Sequence, residues 1–519
     1  MLARSHTFTI DGLFARHVAV EVDVRPGLPA FAIVGLADAA VREARERIGA
    51  AIRNSGYTFP AQRITANLAP GDVPKAGAGL DLAIACALLA ASGQLPPERL
   101  ERLALFGELG LDGSVRASRG ALAVARAAGR ARIGPLLLAP GGAREALLVD
   151  DLEVLPVERL ASAVRVCKGG APDAPAPRAG ERGREPAGGA AGRPRGGDAA
   201  LDLGEVRGQH HAVRTLVLAA AGAHNLLLSG PPGTGKTMLA RRLPSILPPL
   251  ERAEALEVAH IHSLAGRPAR RLDRTPPFRA PHHSVTVAGL IGGASGARVG
   301  EIVLAHAGVL FLDELAEFSR ASLEALRQPL EEGRIAIARA CHSAVYPARF
   351  MLVAATNPCP CGFAGAGERC RCGEADMARY RRRLSGALLD RVDLHVDLQR
   401  EAATGCHPPP PLIGSAEARI QVLQARERQL ARLRGEGVSV NAHMDARMLR
   451  RHVRLDEAGE AVLRDAGGAG LLSGRGEHRA MRVARTIADL RGAPAVAARD
   501  LRAALALRAD AGLDGVRAA

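Results

Sequence analysis

The sequence predicts a multidomain α/β protein, and three observations carry that reading. Near the start, Val18, Val20, Val22 and Val24 alternate as a strand does, and a helical stretch follows from about Ala37 to Asn54. Farther on, an apolar run at 225–229 enters a glycine-rich loop and leaves it as a helix. Beyond the proline-rich break GCHPPPP at 405–411 the segments are mostly helical. At 519 residues the chain exceeds the roughly 100 to 200 residues of a usual domain, so two or three units are expected.

The first unit, 1–167, reads as α+β or α/β. Strand-like alternation spans Thr7 to Val34, and after the helix that ends at Asn54 a second strand runs from Ile64 to Leu68. Leu80 to Ala91 reads as a buried helix. Leu103 to Leu109 reads as a strand, and Ala121 to Ala128 as a small-residue helix packed on a sheet. From 168 to 200 the chain is Gly, Pro, Ala and Arg with almost no large apolar side chains, which predicts a flexible linker. Strands and helices alternate through 201–404, and 405–519 forms a helical unit; no fixed-period repeat is evident.

Apolar residues make up 47% of the chain, yet no uninterrupted apolar run approaches the roughly 20 residues that cross a bilayer. No membrane partner is expected. The opening MLARSHTFTIDG lacks an apolar export core, which predicts a cytoplasmic protein. Four of the eight cysteines fall between 359 and 372, unlike a secreted disulfide framework, so a reducing compartment is expected. The formal net charge of +15 favours polyanionic partners, although an Ala/Arg/Gly-rich bias explains the composition equally well. The lysines are Lys75, Lys168 and Lys236, and the last lies in the glycine-rich loop.

That loop, Gly230, Pro231, Pro232, Gly233, Thr234, Gly235, Lys236 and Thr237, is framed by a strand and a helix, Met238 to Leu247. Its glycines let backbone N–H groups turn inward around a β-phosphate, Lys236 reaches the β and γ oxygens, and the Thr237 hydroxyl is placed to ligate Mg²⁺. A second apolar run, Val309 to Leu312, ends in Asp313 and Glu314, suited respectively to holding the metal and polarising a water. A third, Phe350 to Thr356, ends at Asn357, whose amide suits orienting the same water or the γ-phosphate. ATP with Mg²⁺ is the expected cofactor pair, and hydrolysis rather than binding alone the expected reaction.

Together with FAIVGLADAAVREARERI, NLAPGDVPKAG, FGELGLDGSVR, RAPHHSVTVAGLIGG, GEIVLAHAGVLFLDELAEF, LRQPLEEGRIAIARA, ATNPCPCG and ARTIADL, these residues resemble the ComM/YifB family of magnesium-chelatase-like AAA+ proteins over almost the whole chain. The resemblance implies a central AAA+ P-loop domain, a C-terminal helical lid and a hexameric ring. Such a ring would hydrolyse ATP to move along DNA and drive branch migration, as a helicase serving recombination of incoming DNA in natural transformation, with recombination proteins as further partners. In the family's terms Asn357 resembles sensor 1, Arg391 in LLDR at 388–391 resembles an arginine finger acting on a neighbouring subunit, and Arg475 in SGR at 473–475 resembles sensor 2. The N-terminal unit resembles the proteolytic domain of Lon, a ribosomal S5 domain 2-like fold. Gly79 stands where its serine would be and Leu122 near its lysine, so no peptide cleavage is expected. The 168–200 linker departs from the family in being long and arginine-rich.

Two stretches are candidates to face a central channel: Arg279 to Gly293, with His282 and His283, and a hairpin-like Glu331 to Arg349, with Arg334 and Arg339. Aromatic residues are 3% of the chain and tryptophan is lacking, so single-stranded, forked or branched DNA would be tracked by its backbone without sequence preference. Adjacent histidines on an extended segment point apart, so His282 and His283 are not read as a metal pair. Cys359, Cys361, Cys370 and Cys372 offer four thiolates for a structural Zn²⁺; their C-x-C spacing is tighter than the usual knuckle, and reduced or redox-active thiols are the alternative. The competing function is a chelatase-type motor that remodels a protein partner; an ATP-dependent protease is disfavoured by Gly79.

Overall fold

The computed structural model describes residues 1–519 apart from 151, 174–200, 270, 294–298, 339–342, 365–368, 385, 400–410, 469–472 and 510–519. Most of the expected linker therefore lies outside the described residues. The chain forms two compact units: 1–189 with 252–273 and 336–346, and 190–251 with 274–335 and 347–519. No helix among the described residues is long and apolar enough to cross a membrane.

In the first unit β1 (Leu2–Asp11) and β2 (Phe14–Arg25) form a hairpin that turns at Gly12, where φ is +62°. With β3 (Ala30–Val34), β4 (Arg63–Ala69), β5 (Ala104–Phe106), β8 (Leu136–Leu138) and β9 (Val154–Pro156) they make a seven-stranded sheet in the order β3-β4-β2-β1-β5-β8-β9, while β6 (Glu108–Leu109) pairs with β7 (Val115–Arg116). Val18, Val20 and Val22 are fully buried in one core with the helices Ala39–Asn54 and Asp81–Ala91. Every residue of Asp81–Ala91 is buried, which is why that segment shows no polar face. Phe8, Phe106, Leu136 and Leu138 belong to a second core with helices Ala121–Ala131 and Pro140–Ala146.

The strand expected from Leu103 to Leu109 is divided at Gly107, where a Cβ would lie 2.7 Å from Val115 Cγ1. At Gly79 an added Cβ would lie 2.3 Å from Phe106 Cε2, and Leu122 is fully buried, so an aromatic ring and an aliphatic side chain fill the places considered for a serine and a lysine. The stretch 252–273 packs within this unit through its helix Arg252–Leu264. Glu145 there accepts from Ser263 Oγ at 2.8 Å and Ala269 N–H at 2.9 Å.

The second unit is built on a parallel sheet of β10 (Leu226–Ser229), β11 (Phe278–Arg279), β12 (Val309–Leu312), β15 (Met351–Thr356) and β16 (Leu394–Asp397), in the order β11-β12-β15-β10-β16. The hairpin β13 (Arg334–Ala338) and β14 (Ser343–Pro347) forms a separate two-stranded sheet, and its stretch 336–346 belongs to the first unit. All residues of β10, β12 and β15 are buried, as expected of parallel strands covered on both faces, and this accounts for their unbroken apolar sequences. Ser229 is in register with Thr356, and Leu312 with Ala354, so the carboxyl ends of three neighbouring strands open on one edge. Ligands of open α/β sheets bind at such an edge.

Helices Ser415–Arg432, Ala446–His452, Glu457–Gly468, Gly474–Leu490 and Ala498–Ala509 complete the unit. The sequence ARTIADL supplies a buried polar network. Asp489 takes two hydrogen bonds from Arg432, at 2.8 and 2.7 Å, and a further pair from Arg485, while Thr486 meets His224 at 2.8 Å and Asn441 at 3.0 Å. Nearby, buried Asp393 accepts from Asn225 N–H at 3.0 Å and lies 3.7 Å from Arg479.

Burial alone raises the Asp393 carboxyl, but the hydrogen bond and charge of His224, with Arg479 and Arg482, override it and hold the group down to about 2, against an ordinary 3.8. A carboxyl whose folded value is depressed contributes stability that is complete above the unfolded value and fades as pH falls through the folded one. Asp393→Asn is expected to cost about 2 kcal/mol at neutral pH. Its difference from wild type should shrink between roughly pH 4 and pH 2, and urea unfolding across that range measures both effects.

Candidate nucleotide and metal sites

The loop after β10 owes its path to three glycines. Gly230, Gly233 and Gly235 have φ of +154°, +79° and +88°, and a Cβ on Gly230 would lie 2.4 Å from Leu398 O. The helix Lys236–Ile246 begins as the loop closes, so its first N–H groups and its positive dipole end face the loop. Thr234 is buried and its hydroxyl donates to Pro231 O at 2.9 Å, pinning the turn from inside.

Lys236 is half-buried. Its Nζ donates to Gly230 O at 2.5 Å, Pro231 O at 2.9 Å and Asn357 Oδ1 at 3.1 Å. Burial pulls the ammonium below its ordinary pKa, and the charges of Asp313 and Glu314 oppose that shift. On the adjoining helix turn Thr237 Oγ1 donates to Asp313 Oδ2 at 2.7 Å. The structure thus brings Lys236, Thr237, Asp313 and Asn357 into one constellation drawn from the ends of β10, β12 and β15. An ammonium, a hydroxyl beside a carboxylate and left-handed glycines at a helix start fit a Mg²⁺-bound polyphosphate.

Glu314 follows in a left-handed backbone, φ +53°, unusual for a residue with a side chain, and is exposed. His283 Nδ1 approaches its carboxylate to 3.4 Å. The chain turns here rather than running extended, Val285 N–H donating to His282 O at 2.9 Å, and the two histidine rings lie 4.0 Å apart. The expectation that these rings point apart is therefore corrected, and the reason is the turn. Sequence reasoning placed His283 only on a channel-facing segment and missed its approach to Glu314.

Arg391 and Arg475 meet at one carboxylate. Arg391 forms an ion pair with Glu331, and Arg475 Nη1 lies 3.7 Å from the same Oε1. Arg475 is exposed and Arg391 mostly buried. Arg334 is exposed and pairs with Glu332 at 3.1 Å, whereas Arg339 lies outside the described residues.

Past Asn357 the chain enters the cysteine cluster. Cys359, Cys361, Cys370 and Cys372 place their sulfurs within 4.8 Å of one another and form a group that can hold a metal ion, the one such group among the described residues. Cys359 Sγ is 3.3 Å from Cys361 Sγ and 3.9 Å from Cys370 Sγ, and Cys361 to Cys370 is 3.8 Å. Backbone N–H groups of Arg371 and then Phe363 hold the Cys361 thiol down to about 6.

Comparison with known proteins agrees with this geometry. Residues 202–405 match the family described as magnesium chelatase, subunit ChlI; 20–141 match subunit ChlI of Mg-chelatase; and 413–508 match the ChlI C-terminal family. The chain is 44% identical to an uncharacterized protein of Mycobacterium tuberculosis, with 98% of both chains covered. It is 41% identical to the uncharacterized protein YifB of Salmonella typhimurium, covering 98% of this chain and 97% of the relative. To competence protein ComM of Haemophilus influenzae it is 40% identical, covering 96% of each. A magnesium-chelatase-type AAA+ module implies the use of ATP and Mg²⁺. With matches that run the length of the chain, the protein belongs to the ComM/YifB family of magnesium-chelatase-like AAA+ proteins.

Proposed function

We propose that this chain is an ATP-hydrolysing DNA motor. It would work in the cytoplasm as a ring, hexameric by family resemblance, and drive branch migration or strand translocation during recombination of incoming DNA. The observation that carries the catalytic half is the meeting of Lys236, Asn357 and the Thr237–Asp313 pair across three neighbouring strand ends. The DNA half is supported by the net charge of +15 and by the relative named competence protein ComM.

In this reading Gly230 to Thr237 cradle the phosphates through backbone N–H groups, Lys236 exchanges loop carbonyls for phosphate oxygens, and Thr237 and Asp313 hold Mg²⁺. Bound Mg²⁺ would neutralise charge developing on the transferred phosphoryl group. Glu314 polarises the attacking water and Asn357 orients it. Arg391 acts as the finger on a neighbouring subunit and Arg475 as sensor 2; an arginine finger is worth about 10³ to 10⁵ in rate. Their shared partner Glu331 would have to release them when a nucleotide-bound interface forms. The N-terminal unit, which resembles the proteolytic domain of Lon, would assemble the ring or bind DNA rather than cleave peptides, in keeping with Phe106 against Gly79.

The test is ATP-dependent resolution of a synthetic four-way or forked DNA junction by the wild type beside Lys236→Ala and Glu314→Gln. Wild type should resolve the junction, and both variants should lose about 10² or more in ATPase rate and all resolution. Robust ATPase that no DNA stimulates and that resolves no junction would instead favour a motor that remodels a protein partner.

His283 offers a second test, since on this reading its approach to Glu314 would link the proposed DNA-facing segment to the hydrolytic carboxylate. His283→Ala should retain ATP binding while the ratio of DNA-stimulated to basal ATPase moves towards one. An unchanged ratio would remove His283 from the coupling path.

A further inference from the structure

The sulfur geometry discriminates between the fates open to four neighbouring cysteines. A disulfide requires sulfurs about 2.05 Å apart, and the measured separations of 3.3, 3.8 and 3.9 Å are far outside that. Four thiolates on one zinc at about 2.3 Å stand about 3.8 Å apart along each edge of the tetrahedron. Two of the three measured edges match that spacing. The fourth sulfur, of Cys372, lies within 4.8 Å of the rest.

The cluster is supported beyond its ligands. Cys359 continues directly from β15 and is fully buried, and its sulfur accepts from Ala364 N–H at 3.2 Å. Cys370 and Cys372 lead into the helix Glu374–Arg383, whose Tyr380 returns to the end of β15 with its hydroxyl 3.3 Å from Thr356 Oγ1. An ion at the sulfurs would therefore staple the end of a central strand to a helix that already leans on it. N–H groups directed at sulfur are the kind of outer contact that orients metal ligands.

The cluster also touches the phosphate loop. Gly362 N–H donates to Cys359 O at 2.9 Å, closing a turn with Gly362 at φ +82°. A Cβ on Gly362 would lie 2.6 Å from Pro232 Cδ, 2.8 Å from Pro232 Cγ and 3.8 Å from Asn357 Cγ. The Cys359–Gly362 turn thus lies against Pro232 of the glycine loop and beside Asn357, whose amide meets Lys236.

We propose that Cys359, Cys361, Cys370 and Cys372 bind one Zn²⁺ as a tetrathiolate, and that this ion positions the nucleotide site by holding the Cys359–Gly362 turn against Pro232 and Asn357. The ion is a positioning element; it touches no reacting atom. The second half of the proposal rests on the reading of 230–237 as the ATP loop, whereas the first half does not.

The experiment uses the full-length chain purified without added metal. Elemental analysis should return one zinc per chain, and chain produced with Co²⁺ should show the intense thiolate-to-cobalt charge-transfer and tetrahedral d–d bands of a four-sulfur site. Folded, reduced chain with no stoichiometric zinc, or cobalt bands of a site with fewer sulfurs, overturns the tetrathiolate. Release of the zinc by an organomercurial, followed by thiol regeneration, should weaken binding of a fluorescent ATP analogue by about tenfold or more. Because cysteine variants can fail to fold, Gly362→Ala gives the independent arm: zinc content should stay at one while nucleotide affinity falls. Undiminished affinity in both arms overturns the positioning role. Wild-type chain that carries zinc but binds no ATP overturns the nucleotide reading and the positioning role with it, leaving the tetrathiolate standing.

Discussion

An ammonium group withdrawn from water needs oxygen around it, and that constraint organises the second unit. Lys236 meets it with two carbonyls of its own loop and with the amide of Asn357, which arrives from another strand. The arrangement is possible because β15 lies between β10 and β12, ending level with Ser229 and two residues past Leu312. Parallel pairing fixes all three strand ends on one edge, and crossover helices keep both faces of the sheet dry. The same edge delivers Asp313 to Thr237, so the Lys236 ammonium and the Thr237–Asp313 pair are set by one register.

Behind that edge, buried polar groups add to an apolar core of Leu226, Leu228, Leu394 and Val396 with Val422, Val483 and Leu501 in tying the helices to the sheet. Asp393, one residue before β16, takes the Asn225 N–H that precedes β10 and sits beside Arg479 of the helix Gly474–Leu490. Six to ten residues farther down that helix, Arg485, Thr486 and Asp489 are buried, with Arg485 bonded to Asp489 and Thr486 to His224. Buried charges are costly unless paired and hydrogen-bonded, and here both conditions are met. Arg475 lies at the start of the same helix, an element anchored through Arg479 and Asp393 beside the start of β10.

Much of the candidate site was legible in the sequence because its chemistry is local. A glycine loop between a strand and a helix, an acidic pair closing an apolar run and an amide closing another each carry their geometry in a few consecutive residues. The alternation of Val18 to Val24 was equally legible, since a strand's period is written in neighbouring positions. What escaped depends on tertiary approach. The break at Gly107 follows from Val115 crossing over it, and the pairing of His282 with His283 from a turn that dipeptide reasoning takes as extended. Glu331 as the shared partner of Arg391 and Arg475, and the packing of 252–273 with the first unit, join positions far apart in the chain. The cysteines were visible as possible ligands, but their contact with Pro232 through Gly362 was not, because it is a meeting of two loops from different strands.

The most direct measurement is a structure of the full-length chain with Mg²⁺ and a non-hydrolysable ATP analogue. Lys236 Nζ should have left the carbonyls of Gly230 and Pro231 for β- and γ-phosphate oxygens, Thr237 Oγ1 should ligate Mg²⁺ with Asp313 behind it, and Asn357 should face the γ-phosphate. Nucleotide bound at any other place, or Lys236 still paired with its own loop while nucleotide is present, would contradict the assignment of this strand edge as the catalytic site.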